Sequence, residues 1–211
     1  MLRRGELALA PAGETLGRAV SAADRAVLDE TEAWLREFLT VPHPDLGRTG
    51  PVCPYARPAL KTRSLLIAPP SYTTDRTTLV ALFRQYRDWY LDILDEQPER
   101  DRRLLALVIP LPGFDYTDAT ELDAVQAHLK QDFVTQGLMV GQFHPASRTP
   151  GVRNPAFHPL CSPVPLLALR RMVETDLPFL RDRPSHLEAY LAHLAPALPH
   201  TIRRQLAATF L

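Results

Sequence analysis

Gly137-Leu-Met-Val-Gly-Gln-Phe-His-Pro145 ends one predicted element and makes the next. Gly137 closes a helical pattern as a C-terminal glycine does, and Leu138 to Phe143 is an apolar run of strand length. Pro145 biases His144 toward extended geometry and stops the strand, so the imidazole is expected at a strand mouth. Working back, Leu122, Val125, Leu129 and Phe133 carry a helix, with Asp118 and Glu121 as a capping pair. Before it, Leu104 to Ile109 (LLALVI) is continuously apolar and ends at Pro110, as a strand covered on both faces would. Asp75 to Glu96 repeats Leu79, Leu82, Phe83, Tyr86, Tyr90, Ile93 and Leu94 at helical spacing. Ser64 to Ala68 is one more short apolar run, closed by Pro69 and Pro70.

The middle of the chain therefore reads β-α-β-α-β. The expected class is α+β, a small sheet core with flanking helices and a helical C-terminal third. Upstream, Ser21 and Asp24 open a helix in capping-box fashion, and Val27, Leu28, Trp34, Leu35, Phe38 and Leu39 carry it to about Thr40. Val41 to Pro58 holds five prolines and two glycines and is expected to contain no regular element. Downstream, Val164 to Glu174 is apolar nearly all round and reads as a helix, and Ser185 to Ala195 and Pro199 to Phe210 read as two more. The domain plan is a flexible arm over 1–20, a single α+β domain over 21–182, and a helical extension over 183–211 packed on it. Leu187, Tyr190, Leu191, Leu194, Leu198, Ile202 and Leu206 give that extension an apolar face, fit for core packing or for a homodimer.

Composition narrows the function classes. With 211 residues, 45% hydrophobic, the chain can bury a proper core. Its 24 basic and 24 acidic residues cancel, so no whole-protein field attracts nucleic acid or an anionic membrane. No apolar run approaches the roughly 20 residues of a bilayer span, and the start lacks a signal-peptide h-region, so the expected location is cytoplasmic. No GxSxG elbow, Walker loop or GxGxxG occurs. Cys53 and Cys161 lie too far apart for a zinc pattern and read as reduced thiols, with a ligand, a nucleophile or a redox pair as the alternatives.

Residues 145 to 165 carry six prolines, and each lowers the cost of ordering an irregular loop. Such a loop suits the wall of a pocket for a small-molecule substrate. His144 is its first metal-ligand candidate, against the plainer role of a structural histidine, and His158 is the second. His43, between two prolines, reads as a turn residue. Arg48, between Gly47 and Thr49-Gly50, either binds an anionic group or caps its loop. With Asp115 or Asp118, His144 and His158 also supply the residue types of a two-histidine, one-carboxylate iron site.

The strings Pro42-His-Pro-Asp-Leu-Gly-Arg-Thr-Gly-Pro-Val-Cys-Pro-Tyr55, Gly137 to Pro145 and Ser162-Pro-Val-Pro-Leu166 resemble an uncharacterised bacterial domain family often found among biosynthetic genes. The likeness covers about residues 21 to 182. More distantly, the order of elements and the residues around Cys53, Pro54, His144, Pro145, Arg153 and Pro155 resemble the YqcI/YcgG family. Some of its members are haem-dependent N-hydroxylases of amino-acid-derived substrates. The chain departs from that family at Ser162-Pro163-Val164-Pro165. The resemblance implies haem, iron and an oxygenase or other oxidoreductase role in biosynthesis, with a non-catalytic accessory protein as the alternative. It points to His144 as axial ligand, with Cys53 as the thiolate alternative. Met139, Val140, Phe143, Leu166 and Leu167 are then candidates to wall the ring, and Arg148, Arg153 or Arg170 to meet the propionates.

Overall fold

A computed structural model describes residues 10–11, 21–195, 199, 201–202 and 206. Its centre is a mixed five-stranded sheet in the order β1-β2-β3-β5-β4. The strands are β1 (Ala10–Pro11), β2 (Leu65–Ile67), β3 (Ala106–Pro110), β4 (Leu138–Phe143) and β5 (Leu166–Arg171). β2 and β3 run parallel across the connection that holds α3 (Arg76–Glu96) and the short α4 (Glu99–Arg102). α5 (Thr120–Thr135) leads to β4, while β5 inserts antiparallel to both β3 and β4. Ala10 and Pro11 pair antiparallel to β2, and the rest of the arm expected over 1–20 lies outside the described residues.

Local chemistry accounts for the elements that were expected. Ser21 caps α1 (Ala22–Trp34), its hydroxyl accepting from Asp24 N–H at 3.1 Å. Asp75 caps α3 through Oδ2, which accepts from the N–H and the hydroxyl of Thr78 at 2.8 and 2.7 Å. At α5 the cap departs from the expected pair, because Asp118 takes both the N–H and the hydroxyl of Thr120. Gly137, at φ 73°, ends α5 in the left-handed region that glycine adopts without strain.

Two expectations need correcting. Val164 to Glu174 is not a helix, because Leu166–Arg171 is β5, a strand with neighbours on both edges. A short segment buried on both faces is apolar all round, so periodicity does not separate it from a buried helix, and only its six-residue length and the preceding prolines favour a strand. A 3₁₀ turn, Glu174–Phe179, follows it. The proline-rich stretch from Val41 also holds more order than expected, with a 3₁₀ turn at Pro44–Leu46 and the start of α2 (Ala56–Lys61). Pro58 falls in the first turn of α2, where its missing N–H breaks no helical bond.

The two faces of the sheet are filled differently. On one, Leu79 and Phe83 of α3 and Leu122, Leu129 and Phe133 of α5 are fully buried against Leu107, Ile109, Val140, Leu167 and Leu169. Burying each such side chain contributes about 1.5–3 kcal/mol. Tyr90 ties this layer to the sheet, donating to the Leu105 carbonyl and accepting from Arg171 N–H, both at 2.8 Å, and burial pushes its phenol well up. On the other face, α1, its π-helical continuation Leu35–Leu39 and α2 cover Leu65, Ile67, Val108 and Leu166. A third cluster joins Met139 and Met172 to Leu187 and Tyr190 of α6 (Pro184–Leu194) and to Leu206, so much of the C-terminal apolar face packs inside the chain. The helix expected over Pro199 to Phe210 lies largely outside the described residues. Among the described residues no helix is long and apolar enough to cross a membrane.

The Asp75 cap makes a direct prediction. Asp75→Ala lowers the melting temperature by roughly 2–4 °C, while Asp75→Asn retains most of it. The Thr78 bonds hold the Asp75 carboxyl below its ordinary value of 3.8, so the charged cap contributes fully above that pH. Its contribution is lost as pH falls through the lower folded value, and melting curves of wild type and Asp75→Ala, recorded from neutral to acid pH, should converge there.

Candidate functional site

Small side chains under α1 and α2 leave space in the second layer. Ala56 and Ala59 face Ala106, Gly141 and Ala168, and between them lies a cavity of about 340 Å³. Trp34, Leu35 and Leu39 form part of its roof, and Val108, Phe143 and Leu166 part of its floor. The π-helical turn therefore sits directly on the cavity, a common place for such widened turns. Trp34 is fixed there by its indole N–H, which donates to the Cys161 carbonyl at 3.2 Å, and by an edge contact with Phe143, 5.4 Å between ring centroids.

One corner of this apolar space is polar. Cys53, Tyr55, Arg103 and Arg170 all line the cavity. The Cys53 loop is held to the end of the first helix by Cys53 N–H to the Leu39 carbonyl and Val52 N–H to the Val41 carbonyl, both 2.9 Å. Arg170 projects from β5 on the same face as Leu166 and Ala168 and forks onto Asp176, at 2.7 and 2.6 Å. Asp176 is 1% exposed and also accepts from Val173 N–H at 2.8 Å. Burial works against the Arg170 charge, but the Asp176 bonds and charge, with Cys53 and Tyr55 beyond, outweigh it and raise its pKa. Arg103 likewise pays for desolvation, and the Tyr55 hydroxyl and Glu174 raise it. Its two bonds to Glu174 measure 3.2 and 2.6 Å, and its side chain is 50% exposed.

Of the residues expected in a site, Met139, Val140, Phe143, Leu166, Arg170 and Cys53 line this cavity. His144 does not. Alternation along β4 turns Met139, Gly141 and Phe143 to the cavity face and His144 to the other, where Nε2 donates to Asp123 Oδ1 of α5 at 3.1 Å. Its Nδ1 and the nearby Ser147 hydroxyl are buried without a partner among the described residues. Leu167 likewise faces the α3 and α5 layer. Arg148 and Arg153 are exposed and off the wall, and His158, its Nδ1 buried and without a partner among the described residues, is off it too. Arg48 caps its loop, donating to the Thr49 and Val52 carbonyls at 3.0 Å. His43 serves its turn, Nδ1 accepting from Asp45 N–H, with its ring 4.6 Å from that of Phe157.

The two proline loops do meet, since Asn154 donates to the Asp45 carbonyl at 2.8 Å, and a Cβ on Gly47 would lie 2.9 Å from that of Arg153. Cys161, by contrast, is exposed. No group of three or more His, Cys, Asp or Glu side chains gathers to hold a metal among the described residues, so the two-histidine, one-carboxylate site is not assembled there. Sequence reasoning missed Tyr55 and Arg103. Tyr55 closes the Cys-Pro-Tyr string, and Arg103 stands at the entry to a buried strand, where a charge has to find a partner or a mouth.

The chain belongs to a domain family of unknown function, DUF6875, whose model matches residues 28–205 and so spans every cavity residue named above. No curated protein and no solved structure matches it.

The two ion pairs at the polar corner should differ in strength. Removing one partner of a buried pair costs about 3–5 kcal/mol and an exposed pair contributes about 0.2–1 kcal/mol, and the Arg103–Glu174 pair, with its carboxylate 17% exposed, lies between them. Chemical denaturation should thus show a larger loss for Asp176→Ala than for Glu174→Ala. Equal losses would contradict this ranking.

Proposed function

We propose that the protein binds a small, mainly apolar molecule with one polar or anionic end in the cavity beneath α1 and α2. The observation that carries this is a cavity of about 340 Å³, apolar over most of its wall, with Cys53, Tyr55, Arg103 and Arg170 gathered at one corner. Ligand sites have this composition, apolar walls with a few convergent polar groups, and volumes of about 300–1,000 Å³. The volume here favours a compact ligand with an aromatic or branched aliphatic body.

A second reading is favoured by Cys53 standing on the wall. The YqcI/YcgG likeness suggests haem, and haem needs an iron ligand, an apolar slot and cations for its propionates. Cys53 is the residue that would hold the iron in this cavity, and Arg103, the more exposed of the two arginines on its wall, would meet a propionate. His144, bonded to Asp123 on the other face, is not placed to serve. A porphyrin is larger than the ligands above and needs the roof over Trp34 and Leu35 to move. When bound, haem supplies oxygen activation. The chain's own share is then to hold the metal through the Cys53 sulfur, exclude water with the roof residues, and orient a substrate against the Tyr55 and Arg103 corner.

Two measurements test these readings. Titration with the neutral fluorophore N-phenyl-1-naphthylamine should saturate at one site, and Ala168→Leu should weaken it about tenfold or more without lowering the melting temperature. Non-saturable binding, or equal binding by the variant, contradicts the cavity reading. For haem, protein expressed with ample iron and haem precursor should show a Soret band that Cys53→Ser removes and His144→Ala leaves. A colourless protein that also takes up no added haem contradicts it.

A further inference from the structure

Two guanidinium–carboxylate pairs stand at the polar corner of the cavity, and they are not equivalent. Arg170 is committed to Asp176, a buried carboxylate that also accepts the Val173 N–H and so has no freedom to leave. Arg103 is half exposed and holds Glu174 in the same forked way. Water reaches the Arg103 side of that second pair and weakens it, which makes it the more exchangeable of the two for a competing anion. The backbone at Glu174 is held independently, because the Tyr190 hydroxyl donates to its carbonyl at 2.7 Å. Exchange there requires a side-chain rotation and no movement of the chain.

We propose that the head group of the cavity ligand is a single carboxylate, which takes Arg103 from Glu174 and meets the Tyr55 hydroxyl beside it. This rests on the cavity reading above and adds the chemical class. The Glu174 carboxylate already shows the forked geometry that Arg103 accepts, the pairing for which a planar guanidinium is suited. Arg103 and Arg170 face Glu174 and Asp176 at the corner, so one carboxylate in place of Glu174 keeps each guanidinium paired with one carboxylate. Lys130, a further cation on the cavity wall, already donates to the Phe179 carbonyl at 3.0 Å. The apolar body of the ligand lies against Ala59 and Ala168, where the lining side chains are small.

Calorimetric titration with the matched probes 2-naphthoate and 2-naphthamide decides the matter on the full chain. Wild type should bind the carboxylate about tenfold more tightly than the amide. Arg103→Gln should abolish that preference by weakening naphthoate far more than naphthamide, and Glu174→Gln, by removing the resident competitor, should tighten naphthoate severalfold. Glu174→Gln retains Arg103 and decides the question even if Arg103→Gln fails to fold. Equal binding of both probes by wild type, a preference that survives in Arg103→Gln, or weaker naphthoate binding by Glu174→Gln overturns the carboxylate assignment and leaves the cavity reading standing. Failure of both probes to bind wild type overturns the two together.

Discussion

The pair between Arg170 and Asp176 stands where β5 leaves the sheet, and it governs much of what surrounds it. A guanidinium on the inner face of a sheet is costly to desolvate, and two bonds of 2.7 and 2.6 Å to a fully used carboxylate offset that cost. The pair also fixes the start of the Glu174–Phe179 turn, because Asp176 takes the Val173 N–H at the same time. With the end of β5 held, strand alternation puts Leu166 and Ala168 beside Arg170 on the cavity floor. The same turn carries Glu174 to Arg103. Fold and candidate site thus share one electrostatic anchor.

Unequal packing of the two faces supplies the space. Large side chains from α3 and α5 close one side of the sheet, while α2 presents Ala56 and Ala59 to Ala106 and Ala168 on the other. A sealed, dry void of about 340 Å³ would cost on the order of 8 kcal/mol at about 24 cal/mol per Å³, as much as the whole stability of many domains. The polar corner, with Arg103 half exposed on the cavity wall, relieves that cost by giving water polar partners. It also makes the cavity ready to gain free energy when an apolar body displaces that water.

Capped, periodic elements were legible in the sequence, and the doubly covered strand was not. Asp75 before a run at helical spacing announced α3, and Gly137 followed by six strand residues announced β4 to the residue. β5 was misread because burial on both faces erases the period that tells strand from helix. The candidate site was half legible for a related reason. Phe143 and His144 are adjacent in a segment expected to be extended, so they point to opposite faces, and the alternation alone argues against both walling one pocket. Arg170 lay on a residue pattern whose partner, Asp176, becomes visible only once β5 is a strand. Tyr55 and Arg103 are joined by tertiary packing from segments far apart in sequence, which no local pattern records.

The central claim is that the cavity under α1 and α2 is where this domain meets its ligand. Intermolecular nuclear Overhauser effects between 2-naphthoate and methyl-labelled protein test it most directly. The account predicts cross-peaks from the naphthyl ring to the Ala59 and Ala168 methyls, and none to the methyl groups of Leu122 and Leu129 on the opposite face. Cross-peaks confined to residues away from the cavity, with Ala59 and Ala168 silent in a saturated complex, would contradict it.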